Sequence, residues 1–207
     1  MVYLMLHWFK WQAAISGKHI LSKEFKSKEV DEILKNYWQR YLVLKPAVPY
    51  MPTMGGRIMV QLAAMSTAFY TEITQRGKDA QTATKIFYEI AWIVYNKMGT
   101  FTWNLAGMRK KKDLNKLMLA TKLFRQFPFN SPSYEWIDQP GPDNAVCFNC
   151  VKCPVAEYFK AHNLSKFCVE TWCALDYPLA QKWHSRLERS GSIAGGAEVC
   201  DFKWISE

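Results

Sequence analysis

The sequence predicts an α+β fold, with a helical N-terminal two-thirds packed on a small C-terminal antiparallel sheet with short helices. Three observations predict it. Apolar residues recur at three- and four-residue steps through the first 128 positions, the mark of amphipathic helices. Beyond Phe127, prolines and glycines become frequent and the apolar runs turn short and strand-like. All six cysteines, from Cys147 to Cys200, fall in this second part. Charge divides in the same place: residues 1–128 carry 20 Lys and Arg against 8 Asp and Glu, whereas residues 129–207 carry 7 against 10.

The opening run MVYLMLHWFKW lacks a basic leader, and His7 interrupts it before it reaches the length of a signal-peptide core, so it reads as a docking segment or core strand, with a membrane-surface anchor as the alternative. Elsewhere no apolar run approaches the roughly 18 residues of a spanning helix. In residues 30–44, Val30, Ile33, Leu34, Tyr37, Trp38 and Tyr41 form one helical stripe, which Pro46, Pro49 and Pro52 end. A second helix is expected over residues 58–75 with Gly77 past its end, and a third over 80–97, closed by Gly99. A fourth, over 112–127, sets a basic face of Arg109, Lys110, Lys111, Lys112, Lys116 and Lys122 against an apolar one; such a face is ordinarily solvated. No nucleic-acid motif accompanies it, and no nucleic-acid partner is expected.

In the tail, strands are expected over 134–138 and 145–149, and a helix over 154–162 that starts on Pro154. A longer helix over 166–187, kinked at Pro178, would follow, and then two strands, 186–194 and 199–205, joined at Gly195-Gly196. The chain is organised as residues 1–44, an apolar segment and first helix, and residues 45–207, one α+β unit.

Two constellations can carry chemistry. Cys147, Cys150 and Cys153 are spaced so that three thiolates could surround zinc or an iron–sulfur cluster, with Cys168, Cys173, Cys200 or His162 as a fourth ligand. Strand alternation would instead send Cys147 and Cys150 to opposite faces. Cys173 and Asp176, three apart on a helix, face the same way, which lets a carboxylate poise a thiol or a water; Asp176 as a simple helix cap is the alternative. Glu72 and Glu89 lack the Glu-x-x-His pairs of a di-iron bundle, and there is no phosphate-binding loop, Gly-x-Ser-x-Gly elbow or paired-histidine zinc motif.

Four short segments in order carry a resemblance over about residues 45–205. They are Pro52-Thr-Met-Gly55-Gly56 before a long helix, Cys153-Pro-Val-Ala-Glu-Tyr-Phe, Cys173 with Asp176, and Arg189-Ser-Gly-Ser-Ile-Ala-Gly-Gly-Ala-Glu-Val-Cys-Asp-Phe202. Together they resemble the L-2-amino-thiazoline-4-carboxylic acid hydrolase family. The ending is also similar, more faintly, to vinyl-reductase-like small-molecule sensing domains. The first resemblance implies a cytoplasmic hydrolase that opens a small cyclic C–N compound, and it assigns no cofactor. It implies Asp176 as general base, Cys173 or Cys200 as thiolate, Asp201 assisting, and Arg57 beside Gly55 and Gly56 as the holder of a substrate carboxylate. Cys147, Cys150 and the apolar N-terminus depart from the family pattern, which leaves a metal-binding redox protein and a non-catalytic ligand-binding module as alternatives. A small-molecule substrate is the expected partner; residues 1–11 add a peripheral membrane or protein partner as an option, and an oligomer stays open.

Overall fold

The computed structural model describes residues 2–110 and 112–207. Five helices come first: α1 (Val2–Leu21), α2 (Ser27–Leu44), α3 (Met54–Gln75), α4 (Ala80–Arg109) and α5 (Asp113–Gln126). The first two strands follow, β1 (Glu135–Gln139) and β2 (Ala145–Lys152). Next come α6 (Pro154–Ala161), α7 (Ser165–Cys168), a π-helical turn over Val169–Cys173, and α8 (Asp176–Lys182). Strands β3 (Ser185–Glu188) and β4 (Cys200–Ser206) complete one antiparallel sheet of order β1-β2-β4-β3. The architecture is the α+β one that periodicity and punctuation predict.

Local chemistry explains the boundaries. Thr53 caps α3 by accepting from the Gly56 amide at 3.0 Å, and Asp79 caps α4 through the Thr82 amide at 2.8 Å. Pro154 occupies the first turn of α6, and the Cys153 sulfur accepts from the Ala156 amide. Gly77 ends α3 with φ of 86°, a conformation open to glycine at little steric cost.

Four expectations are corrected. The N-terminal segment is a helix, not a core strand, with Leu6, Phe9 and Ile20 on its buried side. The basic face expected on α5 begins before that helix, and its Lys111 lies outside the described residues. Gly99 does not end a helix, because α4 continues to Arg109; a Cβ at Gly99 would lie 2.2 Å from Leu179, and the Gly99 carbonyl accepts from Trp183 Nε1 at 3.0 Å. This glycine exists for close packing. Finally, the stretch expected as one helix over 166–187 breaks into α7, the π turn, α8 and β3.

Helices α2 and α3 are joined by a buried carboxylate. Glu72 accepts from Arg40 Nε at 2.6 Å, Arg76 Nε at 2.8 Å and Asn36 Nδ2 at 3.2 Å. Burial pushes its carboxyl up, but these donors outweigh it and hold the group below the ordinary carboxylate range. A second close approach joins the halves of the chain: a Cβ at Gly55 would sit 2.1 Å from the Pro128 carbonyl oxygen, and one at Gly56 would sit 2.3 Å from Ser133 Oγ. Thr53 Oγ1 and Ser133 Oγ are hydrogen-bonded at 2.8 Å across this contact. Among the described residues no helix is long and apolar enough to cross a membrane.

Two outcomes follow for stability. Glu72→Ala should lower unfolding free energy by about 2 kcal/mol, less than for a fully buried pair because Arg40 and Arg76 retain some solvent. Since the folded pKa is lowered, the contribution of Glu72 is complete above the unfolded carboxyl pKa and disappears as pH falls through the folded value; urea midpoints across the acid range should converge for wild type and Glu72→Ala. Gly55→Ala forces backbone apart and should cost about 1–3 kcal/mol in the same measurement, whatever ligand is present.

Candidate functional site

The inner face of the sheet carries Trp136 of β1, Phe148 and Cys150 of β2, and Cys200, Phe202 and Trp204 of β4. In register, Cys150 opposes Cys200 and Phe148 opposes Phe202. Between this face and helices α1, α3, α4 and α8 lies an interior cavity of about 250 Å³. Its walls are aromatic and aliphatic over most of their extent, including Phe69, Phe87, Phe124, Phe129 and Trp172.

One end of the cavity is polar. Asp176 accepts from the Tyr95 hydroxyl at 3.0 Å and from Arg189 Nη1 at 3.1 Å, while Arg189 Nη2 donates to the Cys173 carbonyl at 2.9 Å. The side chains of Arg189 and Asp176 are 6% and 16% exposed. Arg189 is also stacked between the rings of Tyr177 and Phe202, 5.3 Å from each centroid, which compensates its loss of hydration. Burial pushes the Asp176 carboxyl up, opposed in part by Arg189 and Tyr95. Burial, reinforced by Asp176, raises the Tyr95 phenol well above its ordinary range, so it stays a donor. Burial disfavours the Arg189 cation, but Asp176 and the neighbouring thiols more than offset that and keep it charged.

Five of the six thiols line the same cavity: Cys150, Cys153, Cys168, Cys173 and Cys200. They are not equivalent. The π turn sets Cys168 and Cys173, five residues apart, beside each other; the neighbouring Cys168 thiol and the Arg189 charge hold Cys173 below the ordinary thiol range despite burial. The proximity of Cys173, together with burial, drives Cys168 up. Cys200 accepts from the Ile193 amide at 3.2 Å, yet burial pushes its thiol up to about 12. Of Cys168, Cys173 and Cys200, Cys173 alone is held below the ordinary thiol range.

The structure thus brings Cys173, Asp176 and Cys200 together and separates the other candidates from them. Asp201, next to Cys200 on β4, is not among the cavity-lining residues; its carboxylate accepts from the Ser190 and Gly191 amides, which hold it below the usual range against its slight burial. Gly55 and Gly56 serve the packing contact with residues 128–133, and Arg57 lies over Tyr50, 5.1 Å from its centroid; none of the three lines the cavity. The Cys147/Cys150/Cys153 set does not converge. Cys147 lies against Gly141, away from the cavity, because strand alternation turns it from Cys150, and among the described residues no three His, Cys, Asp or Glu side chains group to hold zinc or a cluster.

Tyr95 and Arg189 complete the polar cluster around Asp176, and residue spacing does not reveal them. Tyr95 stands 81 positions before the carboxylate it contacts. Arg189 opens a family-like segment, but its approach to Asp176 depends on the turn between α8 and β3.

The chain is similar to the crystal structure of an H-NOX protein from S. oneidensis in the Fe(II)NO ligation state, at 15% identity over 92% of this chain and 99% of that one, with a TM-score of 0.42. A likeness at that level supports no conclusion about ligand or activity. No curated protein matches in sequence. The profile of the L-2-amino-thiazoline-4-carboxylic acid hydrolase family matches residues 57–204, a span that holds Tyr95, Cys173, Asp176, Arg189 and Cys200. On that match, which covers most of the chain, the protein belongs to the L-2-amino-thiazoline-4-carboxylic acid hydrolase family.

Proposed function

We propose that this protein is a hydrolase that opens a small, planar, cyclic C–N compound, a 2-aminothiazoline carboxylate or a close analogue, at the polar end of the interior cavity. The observation that carries this proposal is the placement of Cys173 beside a carboxylate, Asp176, that is held on both oxygens by Tyr95 and Arg189 at the wall of an otherwise apolar space. The family supports the reaction class. The cavity size supports a small substrate, since about 250 Å³ lies just under the roughly 300–1,000 Å³ of sites for drug-sized ligands.

The chemistry follows from the ring. Its carbon between nitrogen and sulfur is amidine-like and electrophilic. The Cys173 thiolate adds to that carbon while the ring nitrogen takes a proton. The carbon–sulfur bond of the ring then breaks, and the released sulfur is protonated. Water, deprotonated by Asp176, attacks the same carbon and expels the Cys173 thiolate, leaving a carbamoyl group on the substrate nitrogen. The net change is one water consumed and one thiol released. In this scheme Arg189 takes the role of holding the substrate carboxylate, because two of its five N–H donors are used within the protein and Arg57 lies elsewhere. A shorter route omits the covalent step and lets Asp176 activate water directly.

The mostly apolar walls favour a second function, a non-catalytic module that binds a small ligand with an apolar body. Turnover separates the two. With an aminothiazoline carboxylate as substrate and mass detection of the ring-opened product, Cys173→Ala and Asp176→Asn should each lower kcat by about 10²–10⁴, while Cys200→Ala keeps most activity. Full activity in Cys173→Ala alone would leave the water route. No product from the wild-type chain with any cyclic amidine tested would overturn the hydrolase. Because Asp176 must be ionised and its pKa is raised, kcat/KM should fall as pH drops through a value above the ordinary carboxyl range, and Asp176→Asn should lose that limb of the profile.

A further inference from the structure

The surface farthest in kind from the cavity is the outer face of α1. Leu4, Trp8, Trp11 and Ile15 stand at i, i+4, i+7 and i+11, so they fall on one narrow stripe opposite the buried Leu6, Phe9 and Ile20. All four are exposed, Leu4 at 72% and Trp11 at 57%. Two of them are tryptophans, side chains suited to a boundary between water and hydrocarbon.

Neighbouring helices extend this stripe into a face. Helix α4 runs antiparallel to α1: a Cβ on Gly17 would touch Ile90, and Lys97 Nζ bonds Gln12 at 2.6 Å. The α4 stripe through Ile90 and Lys97 continues to Phe101 and Met108, which are 70% and 83% exposed. On the other flank α2 is antiparallel as well, with Lys18 bridged to Asp31, Lys10 over the Trp38 ring and Lys45 over the Tyr3 ring. Its exposed Leu42 lies on that same side, one turn beyond Trp38.

The charge around this face has one sign where the apolar residues are most exposed. Residues 1–23, 33–71 and 90–112 contain no Asp or Glu. They contribute Lys10, Lys45, Lys97, Arg109 and Lys110 to the N-terminal part of α1 and the helix ends beside it. A second copy of the chain would bring the same cations against themselves, whereas an anionic lipid surface complements them. An apolar, tryptophan-bearing helix with a basic surround is the pattern of a helix that lies in the headgroup region without crossing it, consistent with the absence of a spanning helix among the described residues.

We propose that the outer face of α1, extended by Phe101 and Met108, docks the protein on an anionic membrane surface with α1 lying in the interface plane. Helix α1 lines the cavity with Phe9 and Ala13, whereas Leu4, Trp8, Trp11 and Ile15 do not line it, so docking and turnover can be tested apart. The test is flotation of the full chain with vesicles of phosphatidylcholine alone or mixed with phosphatidylglycerol, at low and at high salt. Binding should appear with the anionic vesicles and weaken with salt. Trp8→Glu/Trp11→Glu, which alters only exposed side chains, should keep the wild-type melting temperature and bind roughly tenfold more weakly or worse. Arg109→Glu/Lys110→Glu should weaken binding to anionic vesicles in the same direction. Equal binding by wild type and the tryptophan variant, no binding to anionic vesicles, or a wild-type dimer that the tryptophan variant dissolves would each overturn the proposal.

Discussion

The bond between Arg189 and Asp176 sets the arrangement of much of the C-terminal half. Taking two charges out of water costs several kcal/mol each, and the attraction between them offsets this only where their remaining lone pairs and protons are also satisfied. Here the satisfaction comes from four directions: Tyr95 on α4, the Cys173 carbonyl at the end of the π turn, and the rings of Tyr177 and Phe202 on either side of the guanidinium. Each of these four groups sits on a different element, so the ion pair can be whole only when α4, the π turn, α8 and β4 are all in place. That dependence explains why α4 must be long and why Gly99 must lack a side chain. Leu179 of α8 approaches α4 at Gly99, one turn beyond Tyr95, and brings the helix that begins with Asp176 against it.

The same requirement shows what was legible in the residues and what was not. Helices α2, α3 and α5 were legible because each buries one stripe against the core, and a stripe is a local property. The end of α4 was misread because glycine serves both as a helix stop and as a close-packing residue, and only the partner, 80 positions away, distinguishes the two. Residues 166–187 have helical spacing, but the chain there has to turn so that Arg189 can return to Asp176, and tertiary context overrides the local preference. The N-terminal run was ambiguous between strand and helix because it is too evenly apolar for its period to stand out. The exposed Leu4–Trp8–Trp11–Ile15 stripe emerges only once the buried side is known.

At the site, the chemistry-bearing residues were more legible than their roles. Cys173 and Asp176 were found from their spacing and the family-like segments, although the turn that joins them is π-helical and leads into α8 instead of running through one helix. The family resemblance implied that Asp201 assists the thiolate, yet Asp201 follows Cys200 on a strand whose neighbours point to opposite faces, and the cavity receives only Cys200. The same alternation separates Cys147 from Cys150. Tyr95 could not be read in advance, since a tyrosine on an apolar helix face is ordinary core until a buried carboxylate is known to need its hydroxyl.

The contrast between the charged end of the cavity and its apolar walls bears on the proposed order of steps. The walls are mostly apolar, and besides Tyr95, Asp176 and Arg189 they carry the hydroxyls of Tyr37 and Tyr134, which have no hydrogen-bond partner in the protein and are free to bond water. A nucleophile built into the wall avoids the need to hold water there before substrate arrives. Cys173 meets that need, because Cys168 and Arg189 favour its ionised form against burial, while Cys200 is pushed the other way. Opening the ring then places a new carbonyl-like carbon and a polar thiol at the charged end, where water brought in with them has partners. The proposed thiolate-first sequence thus starts from a nucleophile that the fold already holds in the wall.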